Sequence, residues 1–193
     1  MNLLLIFLGA ALINNVILSH ALGLRGMVDA SKQVKSAFGF GLIISSVMLL
    51  SGLTFFPIYH LILYPLGNPS FHLVVMVLVI VGCVQLVEGC LKKCLPIFAQ
   101  EWGTPWPLIT ANSAILGILL LGVDLFHHPF GLTMVYIVGT ATGLTLVMVL
   151  FAGIWERIQY NEISSDFKGI PIAMITAGLM AIVFFGFTGL FGM

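Results

Sequence analysis

Few side chains in this sequence are equipped for chemistry. Those that stand inside or beside long apolar runs are Asn14, Asn15, Glu88, Asn112 and Ser113, with three cysteines, Cys83, Cys90 and Cys94. Amide and carboxylate oxygens are hard donors, suited to hard cations and, for the carboxylate, to protons. Glu88, Asn14, Asn15 and Asn112 are therefore candidates for an ion path, while the asparagines and Ser113 read equally as interhelical hydrogen-bonding groups. Glu88 also precedes Lys92 by four residues, the spacing of an ion pair at a helix end. Cys90 and Cys94 share a helix face, with Cys83 two turns earlier, so a metal site there needs ligands from elsewhere. A disulfide framework is not expected from three cysteines in one segment. His127-His128, with Asp124 and Pro129, read as a solvated turn. No phosphate-cradling loop, nucleophile elbow or zinc-spaced cluster occurs, and no catalytic residue or metal site is assigned.

The elements that position these residues follow from where charge is missing. Of 193 residues, 60% are hydrophobic and 7% charged, seven basic and seven acidic. Ordinary soluble domains carry roughly 25% charged residues. The mean hydropathy is +1.17. Stretches 1–24, 36–87, 102–123, 125–155 and 169–193 contain no Asp, Glu, Lys or Arg. A helix needs about 20 apolar residues to cross the roughly 30 Å hydrocarbon core. Four stretches thus hold one span each, and 36–87 holds two. A soluble enzyme, a nucleic-acid binder and a disordered tail are excluded; membrane lipid is the solvent.

The fold class is an all-α polytopic membrane protein. Six transmembrane helices are predicted near 3–22, 36–56, 71–91, 105–123, 130–155 and 169–191, in one membrane domain over 1–193. The long stretch is expected to divide between Pro57 and Pro69, where helix breakers cluster. Runs such as Val74-Val75-Met76-Val77-Leu78 lack the period-2 alternation of a membrane barrel. The start, Met1-Asn2-Leu3-Leu4, has no basic n-region, so the first segment is expected to be an uncleaved span.

All seven basic residues follow spans one, three and five: Arg25, Lys32 and Lys35, then Lys92 and Lys93, then Arg157 and Lys168. The positive-inside rule makes those loops cytoplasmic and puts both termini outside. Two halves of three spans, about 1–94 and 105–193, then run in opposite senses. Their first spans share an interruption, at Leu12-Ile13-Asn14-Asn15 and at Pro105-Trp106-Pro107 through Asn112-Ser113. Matched broken helices are the mark of a 3+3 inverted repeat with a site near the midplane.

The same segments carry a resemblance. Asn14-Asn15…Leu18…Leu22-Gly23-Leu24, Pro107-Leu108-Ile109-Thr110…Asn112…Ala114-Ile115-Leu116-Gly117 and Glu156-Arg157-Ile158…Phe167-Lys168-Gly169…Ile172 through Met180 are similar to the RnfA/NqrE family. Val84-Gln85…Glu88 fits as well, and the resemblance covers nearly the whole chain. It implies a subunit of an Rnf/NQR-like ion-translocating electron-transport complex, part of a redox-driven translocase rather than an enzyme on its own. It implies six helices with termini outside and a homologous sister subunit of opposite orientation. It also implies a 2Fe–2S cluster shared with that sister, two cysteines from each, and flavins or iron–sulfur centres on partner subunits.

At two places the chain departs from that pattern. Where the family has Leu-Gly-Leu-Cys, it reads Leu22-Gly23-Leu24-Arg25; where the family has Thr-x-Asn-Cys, it reads Thr110-Ala111-Asn112-Ser113. Thiolates hold such clusters, whereas a guanidinium stays protonated and has no acceptor. No cofactor is expected to be bound by this chain alone. Arg25 reads either as a snorkelling interfacial cation or as a fixed charge at the former ligand position, within reach of Asp29. Three functions stay open: a subunit of the redox-driven pump without its own ligands, a cofactor-free transporter on the same fold, or a structural subunit that anchors redox partners.

Overall fold

The computed structural model describes residues 3–30, 33–66, 69–94, 109, 112–121, 129–160 and 167–189. Within them the chain is helical. The segment predicted as the first span is α1 (Leu3–Leu8) and a π-helical turn, Gly9–Ile13, followed after a break by α2 (Val16–His20). A short helix, α3 (Leu24–Ala30), leads to the long α4 (Val34–Ile58). A second π turn, Tyr59–Leu63, and the short α5 (Tyr64–Leu66) extend it. α6 (Pro69–Cys94), α7 (Ser113–Leu121), α8 (Phe130–Ile158) and α9 (Ile170–Phe185) follow.

Three helical stretches, Val34–Leu63, Phe71–Lys93 and Phe130–Ile158, are long and apolar enough to cross a membrane. They correspond to predicted spans two, three and five. Leu3–Ile13 and Ile170–Phe185 are shorter apolar helices at the places of spans one and six. Span four is represented by residues 109 and 112–121, its Pro105-Trp106-Pro107 start lying outside the described residues. The outer surface suits hydrocarbon rather than water, since Leu61, Leu78, Ile182 and Phe185 are each at least 65% exposed.

The end of span two differs from expectation. The helix does not stop at Pro57 but runs through it. Proline forfeits its own N–H bond yet has a φ that suits a helix. The ladder re-registers just beyond it, as the π turn over Tyr59–Leu63. The helical path thus widens and runs on to Leu66, inside the Pro57–Pro69 interval where the division is expected.

α4 and α8 form the central antiparallel pair, with α6 against α4, the first span against α8, and α9 beside α2. Their buried faces correspond at a spacing of one hundred residues. Ala37, Gly39–Gly41, Ile43, Ile44, Val47, Met48, Ser51 and Gly52 are buried, and so is each residue one hundred positions later, from Ile137 to Ala152. The contacts are reciprocal too. Gly41 lies against Thr145, while the Ser45 hydroxyl donates to the Ala141 carbonyl at 3.0 Å. Ser45 and Thr145 meet hydroxyl to hydroxyl at 2.9 Å. Two antiparallel helices related by a local two-fold axis between Ser45 and Thr145 give this pattern.

Small residues set how closely the helices approach, as expected where lipid removes the hydrophobic drive between spans. Gly143 is the tightest case: a Cβ there would overlap the carbonyl oxygen of Ala11, so the π turn of the first span rests directly on α8. At the basic end of the pair, the Glu156 carboxylate accepts from the Val34 N–H at 2.8 Å. A residue of α8 thereby satisfies one of the open amides at the start of α4.

Candidate functional site

The end of the first broken segment, Leu22 to Gly26, lies against Asn112 to Gly117 of the second. Asn14 (φ −90°, ψ 45°) ends the π turn, its N–H bonding to the Gly9 carbonyl at 2.8 Å. Asn15 restarts the helix as the N-cap of α2, its Oδ1 accepting from the Ile17 N–H at 3.2 Å. Its Nδ2 donates back to the Ala11 carbonyl at 3.2 Å, and Ser19 Oγ donates to the Ile13 carbonyl at 3.1 Å. The broken backbone is thus held by side chains, the condition for a break at membrane depth.

Asn112 repeats the arrangement. Its Oδ1 accepts from the Ala114 N–H at 2.9 Å, one residue inside α7. Asn15 and Asn112 are both buried, at 1% and 7% exposure. Both use the oxygen as a helix cap, at the start of a half-length helix. Asn14 differs: it is exposed and borders a cavity of about 510 Å³ with Ser19 and Phe185.

Between these helix starts passes the loop Ala21-Leu22-Gly23. Ala21 is left-handed (φ 55°), and Gly23 follows at φ 78°. The Gly23 N–H donates to Ser113 Oγ at 2.9 Å. Gly23 has a second reason to be glycine, since a Cβ there would stand 3.0 Å from the Ala114 Cβ and 3.1 Å from Asn112 Oδ1. Leu22 packs against Gly117, and Gly26 faces Asn112 Nδ2. Leu22-Gly23-Leu24-Arg25 and Asn112-Ser113 are therefore neighbours, as a shared ligand region would require.

What this chain places there is not a metal-binding set. Ser113 is exposed and its hydroxyl oxygen is engaged by the Gly23 amide. The Arg25 side chain is 87% exposed, with Asp29 at 3.8 Å one turn along α3. Cys83 is buried beside Thr54, 3.5 Å from Sγ to Oγ1, while Cys90 is exposed elsewhere on α6. The Cys94 side chain, Asp124, His127 and His128 lie outside the described residues. Among the described residues no three of His, Cys, Asp and Glu gather to hold a metal.

Glu88 lies on α6, the helix that packs against α4 and α7. Its carboxylate pairs with Lys92 at 2.7 Å near the end of α6, the predicted i,i+4 geometry. Sequence reasoning missed the Ser45–Thr145 pair and the Glu156 cap on Val34. The recurrence of Gly39, Val47-Met48 and Leu50 as Gly139, Val147-Met148 and Leu150 is the signal that points to the first.

Residues 3–191 match the family described as "Rnf-Nqr subunit, membrane protein". The chain is 40% identical to the A-type subunit of the Na(+)-translocating ferredoxin:NAD(+) oxidoreductase complex of Acetobacterium woodii, over 98% of each chain. It is 39% identical to the A-type subunit of the ion-translocating oxidoreductase complex of Syntrophotalea carbinolica, over 98% of this chain and 97% of that one. The corresponding subunit of Erwinia tasmaniensis is 41% identical over 97% and 96%.

Proposed function

Because the chain belongs to the Rnf-Nqr family of membrane subunits, we propose that it is the A-type membrane subunit of an ion-translocating ferredoxin:NAD⁺ oxidoreductase complex in a bacterial membrane. The observation that carries this reading is identity near 40% along almost the full length of both chains. The convergence of Gly23 with Ser113 supports it, because it joins the two segments that the resemblance assigns to one site.

The residues at that site do not fit the family's cluster. Arg25 is a permanent cation and Ser113 Oγ accepts a backbone hydrogen bond, so neither offers a thiolate. The chain accordingly supplies no iron ligand at these positions. Flavins or iron–sulfur centres on partner subunits carry the electrons, and this chain contributes the membrane frame around their path. Its partner is a homologous sister subunit of opposite orientation.

The frame is a six-span 3+3 inverted repeat with both termini outside and the loops of Arg25, Lys92 and Arg157 cytoplasmic. The reciprocal packing of α4 on α8 supports the repeat, and the one-sided distribution of basic residues supports the orientation. Asn14, Asn15, Asn112 and Glu88 are the ion-path candidates, the matched caps of Asn15 and Asn112 marking equivalent half-helix starts. A second reading is favoured by the engaged Ser113 hydroxyl: the sister pair has kept the fold as a transporter or anchor and left redox chemistry behind.

The test is affinity purification through a tag on this chain, followed by ferredoxin:NAD⁺ oxidoreduction and Na⁺ or H⁺ uptake in vesicles. Ion uptake that depends on reduced ferredoxin supports the first reading. Uptake that needs no electron donor establishes the second. Labelling of single cysteines at the Lys35 and Lys92 loops from the cytoplasmic side only is the expected topological result.

A further inference from the structure

The face of the α4–α8 pair turned away from the core carries an apolar groove of about 660 Å³. Phe38, Leu42 and Leu49 wall one side, and Val138, Leu146 and Val149 the other. Its hydroxyls are consumed internally: Ser45 and Thr145 bond to each other and to the Ala141 carbonyl, Ser46 donates to the Leu42 carbonyl and Thr142 to the Gly139 carbonyl. Nothing in the groove asks for a polar ligand. From Phe38 to Leu49 it runs eleven residues, about 17 Å at the helical rise, close to half of the roughly 30 Å hydrocarbon thickness. It is one leaflet deep.

The groove's basic end is different. Lys35 lies one turn before Phe38 on the same face of α4. On α8 the stripe of Leu146 and Val149 continues through Gly153, whose Cβ position faces open space, to Arg157 and Tyr160. Here a second cavity of about 650 Å³ opens, lined by Gln33, Lys35, Glu156 and Tyr160 among others. Glu156 spends one carboxylate oxygen on the Val34 N–H. Among the described residues neither Lys35 nor Arg157 has a carboxylate within ion-pair distance, and both are exposed. Toward its basic end the apolar channel therefore meets Lys35 at the pocket, beside the Tyr160 phenol, with Arg157 on the adjoining stripe of α8, and neither cation meets a carboxylate among the described residues.

We propose that this groove and the pocket beyond its basic end, which follow one another along the same helix faces, form a binding site for one anionic phospholipid, its acyl chain between α4 and α8 and its phosphate against Lys35 and Arg157. Charge complementarity selects the headgroup, and the depth of the groove selects a chain of one leaflet. The site lies on the face opposite the core and does not depend on the redox reading. An apolar transmembrane helix from elsewhere in the complex is the competing occupant; it would leave the two cations without a counter-charge.

The experiment uses the intact complex in nanodiscs containing phosphatidylglycerol or phosphatidylcholine, each with the same diazirine-bearing acyl chain. The expected result is photolabelling of α4 and α8 around Leu42 and Leu146, with phosphatidylglycerol strongly preferred. Lys35→Gln and Arg157→Gln should each cut that preference roughly fivefold, and Lys35→Arg should retain it. Thr142→Trp, which fills the groove from its rim, should abolish labelling by both lipids while the complex stays assembled. Equal labelling by the two lipids overturns the proposal. So does a groove that neither lipid labels, or one that crosslinks from Thr142 to another protein of the complex.

Discussion

The backbone N–H of Gly23 donates to Oγ of Ser113 at 2.9 Å, joining residues ninety positions apart at the meeting of two half-length helices. A hydroxyl on a neighbouring amide is a small interaction, with a net value of about 0.5–1.5 kcal/mol. Its position matters more than its size. It closes the loop that carries Arg25 onto the helix start that carries Ser113, so the two segments are held in register by a hydrogen bond.

Replacing Ser113 with Ala should therefore lower stability by about 1 kcal/mol or less and leave assembly intact. Thermal unfolding of the purified complex in detergent measures it. Collapse of the complex on this one change would mean that Ser113 bears far more than a backbone amide.

The asparagine caps make a sharper prediction. Asn15→Ala and Asn112→Ala should each cost about 1 kcal/mol, and Asn15→Ser and Asn112→Ser should recover most of it, because serine also caps. If the serine variants are stable yet ion uptake falls, the amides serve the ion path as well as the helix. Stable serine variants with full uptake leave capping as their role.

Packing at the first span can be tested by size. Gly143→Val drives side-chain atoms into the Ala11 backbone and should destabilise by about 1–3 kcal/mol. Gly178→Ala, with nothing within 4 Å of its Cβ position, should be neutral or slightly stabilising. Thermal midpoints that fall equally for the two variants would contradict the close approach.

Ser45 and Thr145 should couple. In a double-mutant cycle of Ser45→Ala and Thr145→Val, the interaction term should be near the 0.6 kcal/mol average for hydrogen bonds between membrane helices. A term indistinguishable from zero would deny the pair any energetic role at the crossing.

Much of this architecture was legible from the sequence, for identifiable reasons. Absence of charge located the three long apolar helices, since a charge inside hydrocarbon is expensive. Asn14-Asn15 announced the break in the first span because side-chain amides both disrupt a helix and satisfy the freed backbone. The juxtaposition of the Gly23 loop with Ser113 was legible only through the paired motifs of the resemblance. Pro57 marks only the near edge of the division between spans two and three, because a proline within a helix subtracts one hydrogen bond and the packed neighbours hold the rest. The Glu156 cap and the Ser45–Thr145 contact were hidden because they depend on how α4 and α8 meet, which no local pattern states.

Membranes that lack this chain test its place in the complex most directly. Ferredoxin:NAD⁺ oxidoreduction and the ion uptake it drives should be measured in vesicles from cells lacking the chain, and again after wild-type or Ser113→Ala is restored. We expect both activities to vanish on deletion and return with either version. Full activity in vesicles without the chain, with the remaining subunits assembled, would contradict its place in the complex.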